Sequence, residues 1–280
     1  MLLQFFLKNI ISLICEIIKK NEIIMNLNLP IEIAQGYKSA SQIARVITEA
    51  WTLSNMYCPV CTSNNLLDTK PGTEAIDFVC SICDAPFQLK ALNKKIGHKI
   101  VDAAYEAMMR AINRNRLPHF LFLSYNLNRY IVNDLLLVPR FCISASSIEK
   151  RSPLKPTARR AGWIGCNILL DLIPPEGRIP IISSGKIISR SLVRSEYNQV
   201  KPLADLSVKK RGWTIDVLTA IRTLDKNEFN INEAYSFEKI LSKRHPENKH
   251  VRPKIRQQLQ ILRDLGYIEF IGQGHYRWIK

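Results

Sequence analysis

The sequence predicts an α/β sandwich domain that carries a four-cysteine metal site and is followed by a small winged-helix domain. Three observations predict it. Two C-x-x-C pairs, Cys58 with Cys61 and Cys80 with Cys83, are separated by the 18 residues 62 to 79, within the spacing of roughly 15 to 20 that suits a four-cysteine zinc site. The apolar runs "HFLFLSYN" and "NDLLLVP" follow a helical pattern, as central strands covered on both faces do. Residues 211 to 280 hold three helical patterns and an alternating hairpin, the winged-helix variant of helix-turn-helix.

In chain order, residues 39 to 52, "SASQIARVITEAWT", bring Ile43, Val46, Ile47 and Trp51 to helical spacing behind a serine suited to capping. The cysteine hairpin comes next, with "IDFVC" and "PFQLK" as short strands. "DAAYEAMMRAINRN" places Ala, Tyr and Met on one face of a helix, and the two apolar strands follow it. Residues 183 to 210 are rich in Ser and basic residues and lack sustained periodicity. The domain boundary is expected there, giving a first domain over 25–206 and a winged helix over 207–280. The helices of the second domain are "WTIDVLTAIRTL", "NINEAYSFEKILSKRH" with an Asn cap, and "VRPKIRQQLQILRDLG", stopped by Gly266. "YIEFIGQGHYRWI" then alternates across a Gly-Gln-Gly turn.

Composition narrows the partners. With 280 residues, two domains are expected, each able to bury a core. Forty Lys+Arg against 24 Asp+Glu leaves a net charge of +16, which favours an anionic partner and is silent about fold. Seven cysteines are too few for a disulfide scaffold of this length, and four of them form knuckles, so a reducing interior with a bound metal fits better. Cys15, Cys142 and Cys166 have no partner pattern and read as small apolar residues. The opening "MLLQFFLKNIISLICEIIKK" is interrupted by Lys8 and Glu16 and lacks a cleavage site, and it falls short of the ~20 apolar residues of a spanning helix. Residues 1–24 are expected to be either an amphipathic helix or an extension that is not part of the native start, with Met25 as the alternative initiator. No membrane role is expected.

Two knuckles presenting four thiolates close a tetrahedron around zinc at ~2.3 Å per bond and leave no open position, so such a site is structural. Paired disulfides are the alternative. Asp77 lies three residues before Cys80, and Gln88 and Lys90 lie five and seven after Cys83, so the metal hairpin fixes both strands. Gln88 and Lys90 share one face by the period of a strand. An acidic residue, a second oxygen ligand and a lysine converging there would hold Mg²⁺ and position a water against a phosphodiester. Any polar hairpin also produces such a set by chance.

On the third helix of the second domain, Val251, Ile255, Leu259 and Leu262 form the buried face, while Arg256, Gln257, Gln260 and Arg263 point away. Arg and Gln are the residues that bond base edges and phosphates in a major groove. With a basic wing containing His275 and Arg277, DNA is the expected partner, against the alternative of a solvated charged face. "KPTARRAGWIGCNI", residues 155 to 168, combines Lys155, Arg159 and Arg160 with Trp163 between glycines. That is either a loop putting guanidiniums on phosphates and an indole in a groove, or a core tryptophan flanked by surface arginines.

Through "YKSASQIARVITEAW", "YCPVC", "IDFVCSICDAPFQLK", "PTARRAGWIGCNI", "RGWTID" and "KIRQQLQILRDLGYIEFIGQGHYR" the chain resembles the DpnI family of methyl-directed type IIM restriction endonucleases, over about 25 to 280. The resemblance implies a PD-(D/E)XK nuclease domain with an inserted zinc site, and a winged helix that also binds methylated DNA. It implies cleavage of double-stranded DNA at adenine-methylated GATC, by a monomer in the bacterial cytoplasm with Mg²⁺ as catalytic and Zn²⁺ as structural cofactor. It assigns Asp77 and Gln88 to Mg²⁺, Lys90 to the attacking water, and Trp163 to the adenine methyl groups. One position departs from the family pattern, which has Glu where this chain has Gln88. The amide oxygen still coordinates, but one negative charge is lost, and weaker Mg²⁺ binding and slower cutting are expected. Glu49, on the preceding helix, would supply a carboxylate to the metal through water.

In paired 6-methyladenine the groove displays a methyl where adenine offers a donor, so hydrogen bonding does not select it. Burying one methyl contributes only about 0.8 kcal/mol. Discrimination therefore needs both methyls of the palindrome and a second reading domain. Trp163 in the first domain, and the 251 to 265 helix with Trp213 in the second, are the candidates; Trp213 also reads as a core indole that begins its helix. Two other functions stay open: a methyl-adenine reader in which Gln88 has abolished cleavage, and a zinc and winged-helix transcription factor with no tie to methylation.

Overall fold

The computed structural model describes residues 25–70 and 75–279; the expectations for residues 1–24, Cys15 included, lie outside the described residues. Helix α1, Ala40–Asn55, buries Ile47, Thr48, Trp51 and Thr52, and the Trp51 indole N–H donates to the Asn26 carbonyl at 2.6 Å. Ser39 stands at the cap position and its carbonyl accepts from the Ile43 N–H at 2.9 Å, but its side chain makes no cap bond; its hydroxyl lies 2.9 Å from that of Ser41.

The main sheet has seven strands: β1 Leu66–Asp68, β2 Phe78–Cys80, β3 Pro86–Leu92, β5 His119–Asn126, β6 Ile131–Val138, β9 Ile179–Ser183 and β10 Lys186–Ile187, in the order β1-β2-β3-β5-β6-β9-β10. Only β3 and β5 pair in parallel. Their crossover runs through β4, Lys99–Ala104, and helix α2, Tyr105–Asn113, as a parallel pair requires. Four successive residues of β5, Phe120, Leu121, Phe122 and Leu123, are fully buried, so this strand is covered on both faces, as its unbroken apolar run predicts. Strand β4 belongs to a second, antiparallel sheet with β7, Ile148–Lys150, and β8, Gly165–Leu169, in the order β4-β8-β7.

Residues 183 to 210 are more ordered than their composition predicts. They include helix α3, Arg190–Val200, capped by the Ser189 hydroxyl and anchored by Val193, Tyr197 and Val200. The stripe is three residues wide, and the Ser and Arg around it hide its period.

From Val208 on, the chain forms α4 Val208–Arg222, β11 Glu228–Asn230, α5 Ile231–Tyr235, α6 Glu238–Arg244, α7 Val251–Asp264, β12 Ile268–Gly272 and β13 His275–Trp278. The three strands make a small sheet ordered β11-β13-β12. Asn230 caps α5 in a capping box with Glu233, and the helix expected over 230 to 245 is two short helices. Gly272, Gln273 and Gly274 all take positive φ at the hairpin turn, a conformation two glycines reach without steric cost.

A polar seam joins these helices to the sheets. Arg211 donates to Asn115 Oδ1 at 2.7 Å and Arg222 to Glu176 Oε1 at 2.6 Å. The fully buried Asp216 accepts from the Ser146 hydroxyl at 2.5 Å and contacts His245 Nε2 at 2.7 Å.

Candidate functional site

The four sulfurs of Cys58, Cys61, Cys80 and Cys83 lie within 4.8 Å of one another. Cys58 Sγ is 3.7 Å from Cys83 Sγ, and Cys61 Sγ is 3.5 Å from Cys80 Sγ. A zinc tetrahedron with ~2.3 Å bonds has edges of about 3.8 Å, whereas a disulfide needs about 2.05 Å. The separations fit a tetrahedral metal such as zinc and are too long for disulfides. Backbone N–H groups of Val60, Ser63 and Ile82 point at Cys58, Cys61 and Cys80 sulfurs at 3.4, 3.4 and 3.3 Å, as knuckle turns stabilise thiolates. Burial raises the Cys80 thiol, but the N–H groups of Cys83 and Ile82 and the neighbouring thiols outweigh it and bring its pKa down to about 6. Helix α3 latches onto the first knuckle, because Arg194 donates to the carbonyls of Cys58 and Ser63 at 3.1 and 3.0 Å.

The second knuckle is the turn of the β2–β3 hairpin, and its strands carry the residues singled out in the sequence. The Asp77 N–H donates to the Phe87 carbonyl at 2.9 Å, and Asp77 Oδ2 accepts from the Leu89 N–H at 2.7 Å. The carboxylate thus stands in for a backbone carbonyl beside Leu89, the residue between Gln88 and Lys90. Burial raises its pKa, against the opposing pull of the Leu89 N–H and the Lys90 and Arg45 charges. Glu49 is bonded by Arg45 Nε at 2.7 Å, so the structure gives this carboxylate a partner other than a metal-bound water.

Lys90 makes an ion pair with Asp102 Oδ1. Asp102 sits on β4 with its side chain 1% exposed, and its Oδ2 has no hydrogen-bond partner among the described residues. Gln88 and Asp102 share the wall of a cleft of about 540 Å³, rimmed by Arg110, Arg114 and Arg116 on and after α2. The structure therefore places Asp77, Gln88 and Lys90 on the β2–β3 hairpin and brings Asp102 to Lys90 from the second sheet, with three exposed guanidiniums rimming the adjoining cleft. The first three were legible from the hairpin. Asp102 was missed, although "KIVDAA" carries a signal: Ile100 and Asp102 share the buried face while Lys99 and Val101 are exposed, so an acidic group stands on the inward side of a strand.

Helix α7 buries Val251, Ile255, Leu259 and Leu262 and exposes Arg256, Gln257, Gln260 and Arg263, as its period predicts. Arg256, Gln260 and Arg263 border a cavity of about 340 Å³ with Phe270 and Tyr276 of the wing. The wing is less basic than its sequence implies, because Arg277 is held by Glu228 at 2.8 Å and Glu269 at 3.2 Å. The expectation of a DNA contact by Trp213 is corrected. Its indole is 2% exposed and stacks on His245 at 3.8 Å, because α4 is the central helix of its domain and buries residues on every side.

In the 155–168 segment, Lys155, Arg159 and Arg160 are exposed and Trp163 is half-buried. The Arg160 guanidinium lies over the indole, 4.9 Å from its centre, and Cη2 and Cζ3 of the ring lie close to Gly165, where an added Cβ would meet them at 2.8 Å. Leu154 and Trp163 are linked by a 2.9 Å backbone bond. The loop is thus closed on itself, and Trp163 is neither a free probe nor a core residue.

These features define a class: a basic mixed α/β protein with a four-cysteine hairpin of metal-binding geometry, joined to a helix-turn-helix domain of DNA-binding type. The profile of DpnI, the Dam-replacing family, matches residues 25–206, and that of the Dam-replacing HTH domain matches residues 209–278. The chain belongs to the DpnI family. Membership points to a methyl-directed restriction enzyme. Among the described residues no helix is long and apolar enough to cross a membrane.

Proposed function

We propose that the protein is a Mg²⁺-dependent restriction endonuclease that hydrolyses both strands of DNA at adenine-methylated GATC. In this reading residues 25–206 form a PD-(D/E)XK catalytic domain and residues 207–280 a winged helix, acting as a monomer in the bacterial cytoplasm. The observation that carries it is the convergence of Asp77, Gln88 and Lys90 on the metal-built hairpin, beside an arginine-rimmed cleft. The carboxylate of Asp77 and the amide oxygen of Gln88 are hard donors that suit Mg²⁺. Bound there, the ion would lower the pKa of a water and neutralise charge on the phosphate. Lys90 would hold and orient the attacking water. The exposed Lys155, Arg159 and Arg160 would take phosphates, and Trp163 would meet the methyl group edge-on from under Arg160. Arg256, Gln257 and Gln260 would enter the major groove from the second domain.

Gln88 favours a second reading, a methyl-adenine reader that cuts slowly or not at all. One plasmid, prepared with and without GATC adenine methylation and incubated with the protein in Mg²⁺, separates the two. Cutting of the methylated plasmid alone, lost in Lys90→Ala, supports the nuclease. Binding without cutting, with activity appearing in Gln88→Glu, supports the weakened site. Equal affinity for both duplexes would remove methyl reading altogether.

A further inference from the structure

We propose that Asp102 is a positioning residue of the cleavage site, holding the Lys90 ammonium against the edge of β3 from a buried place on β4. The inference rests on the nuclease reading above, and it concerns a residue outside the hairpin. Asp102 belongs to the second sheet and Lys90 to the first, so their ion pair spans the gap between the two.

A carboxylate on the apolar side of a strand is costly to bury unless it is paired, and Lys90 is the pair this one has. The pairing also answers a need of the lysine. A four-carbon stem samples many rotamers, and ordering it costs conformational entropy. Asp102 imposes that order before any substrate arrives. Its Oδ2 is buried and free of hydrogen bonds among the described residues, so Lys90 is the one charged partner that the structure gives this carboxylate among them. A contact that served only to join the sheets would not need its cation to be the lysine of the candidate site.

The test is Asp102→Asn, which keeps the shape and removes the charge. Three quantities are measured: the melting temperature, the acylation rate of Lys90 by acetic anhydride in the DNA-free protein followed by peptide mass spectrometry, and the single-turnover cleavage rate of a prebound methylated GATC duplex. The expected result is a folded protein that binds the duplex like the parent. Its Lys90 is acylated severalfold faster relative to the other lysines, and its cleavage rate falls on the order of 10²-fold, the cost of misplacing a catalytic group by about 1 Å. Unchanged acylation overturns the proposal, and so does parent-like cleavage. If the parent itself leaves the methylated duplex uncut, the nuclease reading fails and acylation alone decides: faster labelling keeps Asp102 as the partner that positions Lys90, and unchanged labelling removes it. Should Asp102→Asn not fold, Asp102→Ser is carried through the same measurements.

Discussion

At the scale of single residues, close packing and burial decide what a side chain can do. Gly165 is a glycine for a local reason: a Cβ there would sit 2.8 Å from two carbons of the Trp163 ring. Gly165→Ala must displace the indole, since the strand backbone cannot give way as easily as a half-buried ring. We expect a loss of about 1–3 kcal/mol of stability, the usual cost of overpacking, together with a red shift in tryptophan fluorescence and a reduced preference for methylated over unmethylated duplex. An unshifted spectrum with unchanged preference would show that the ring does not need this seat. His119 offers a second prediction. It is buried among Phe87, Phe141 and Tyr197, and its Nδ1 accepts from the Arg140 N–H at 3.2 Å. Burial, aided by the Arg140 charge, lowers its pKa to about 3. The folded protein therefore holds the ring neutral while the unfolded chain protonates it near ~6.5. The stability this neutral ring contributes is complete above that value and is lost as pH falls from there toward 3, at up to about 1.4 kcal/mol per pH unit. Urea unfolding at pH 7 and pH 5 should show a steeper loss for the parent than for His119→Gln; equal losses would contradict it.

At the scale of elements, the two knuckles tie the end of α1, the β2–β3 hairpin and the start of α3 to one point. The Arg194 bonds to the Cys58 and Ser63 carbonyls reinforce that point. Strand β2 has three residues, too few for an independent hairpin, so the bound metal would supply much of its order. Removing zinc with a strong chelator should lower the melting temperature, release close to one equivalent of metal, and abolish cleavage while the winged helix still binds DNA. Cys80→Ser should reproduce this. A protein that melts and cuts unchanged after zinc release would separate the hairpin from the site. Legibility at this scale followed period. The unbroken run of β5 and the stripe of α7 were plain, because seven or more residues repeat one environment. The short strands β4, β7, β8 and β10 were not, since two to six residues, of mixed burial in the first three and exposed in β10, do not establish a period.

At the scale of the whole molecule, the helix-turn-helix region is not a bead on a string. Asp216, fully buried on α4, accepts from Ser146 of the sheet region and meets His245 of its own, and Arg244 is 3.6 Å away. Removing one member of such a buried charged set leaves its partners uncompensated, typically at a cost of 3–5 kcal/mol. Asp216→Ala should destabilise the protein by about that much and split a single urea transition into two, as the regions uncouple; a single parent-like transition would place the coupling elsewhere. In the proposed reading the seam would bear on specificity, because two reading surfaces held in fixed relation would enforce one geometry on the DNA they share.

The sequence by itself determined the parts whose chemistry is local. Four thiols at knuckle spacing, an acid, an amide and a lysine on one hairpin, and a helix with one apolar and one Arg/Gln face follow from residue type and period alone. It also showed the exchange of Glu for Gln88 by comparison with the family pattern. The tertiary structure decided what depends on contacts between distant segments: that Trp213 is core because α4 is enclosed, that Arg277 is neutralised by glutamates on neighbouring strands, that Trp163 lies folded on Gly165, and that Asp102 reaches Lys90 from another sheet. The reason is physical. Periodicity reports which face of an element is buried, whereas the partner that a buried charge or ring meets is set by how separate elements pack, and no local pattern carries that information.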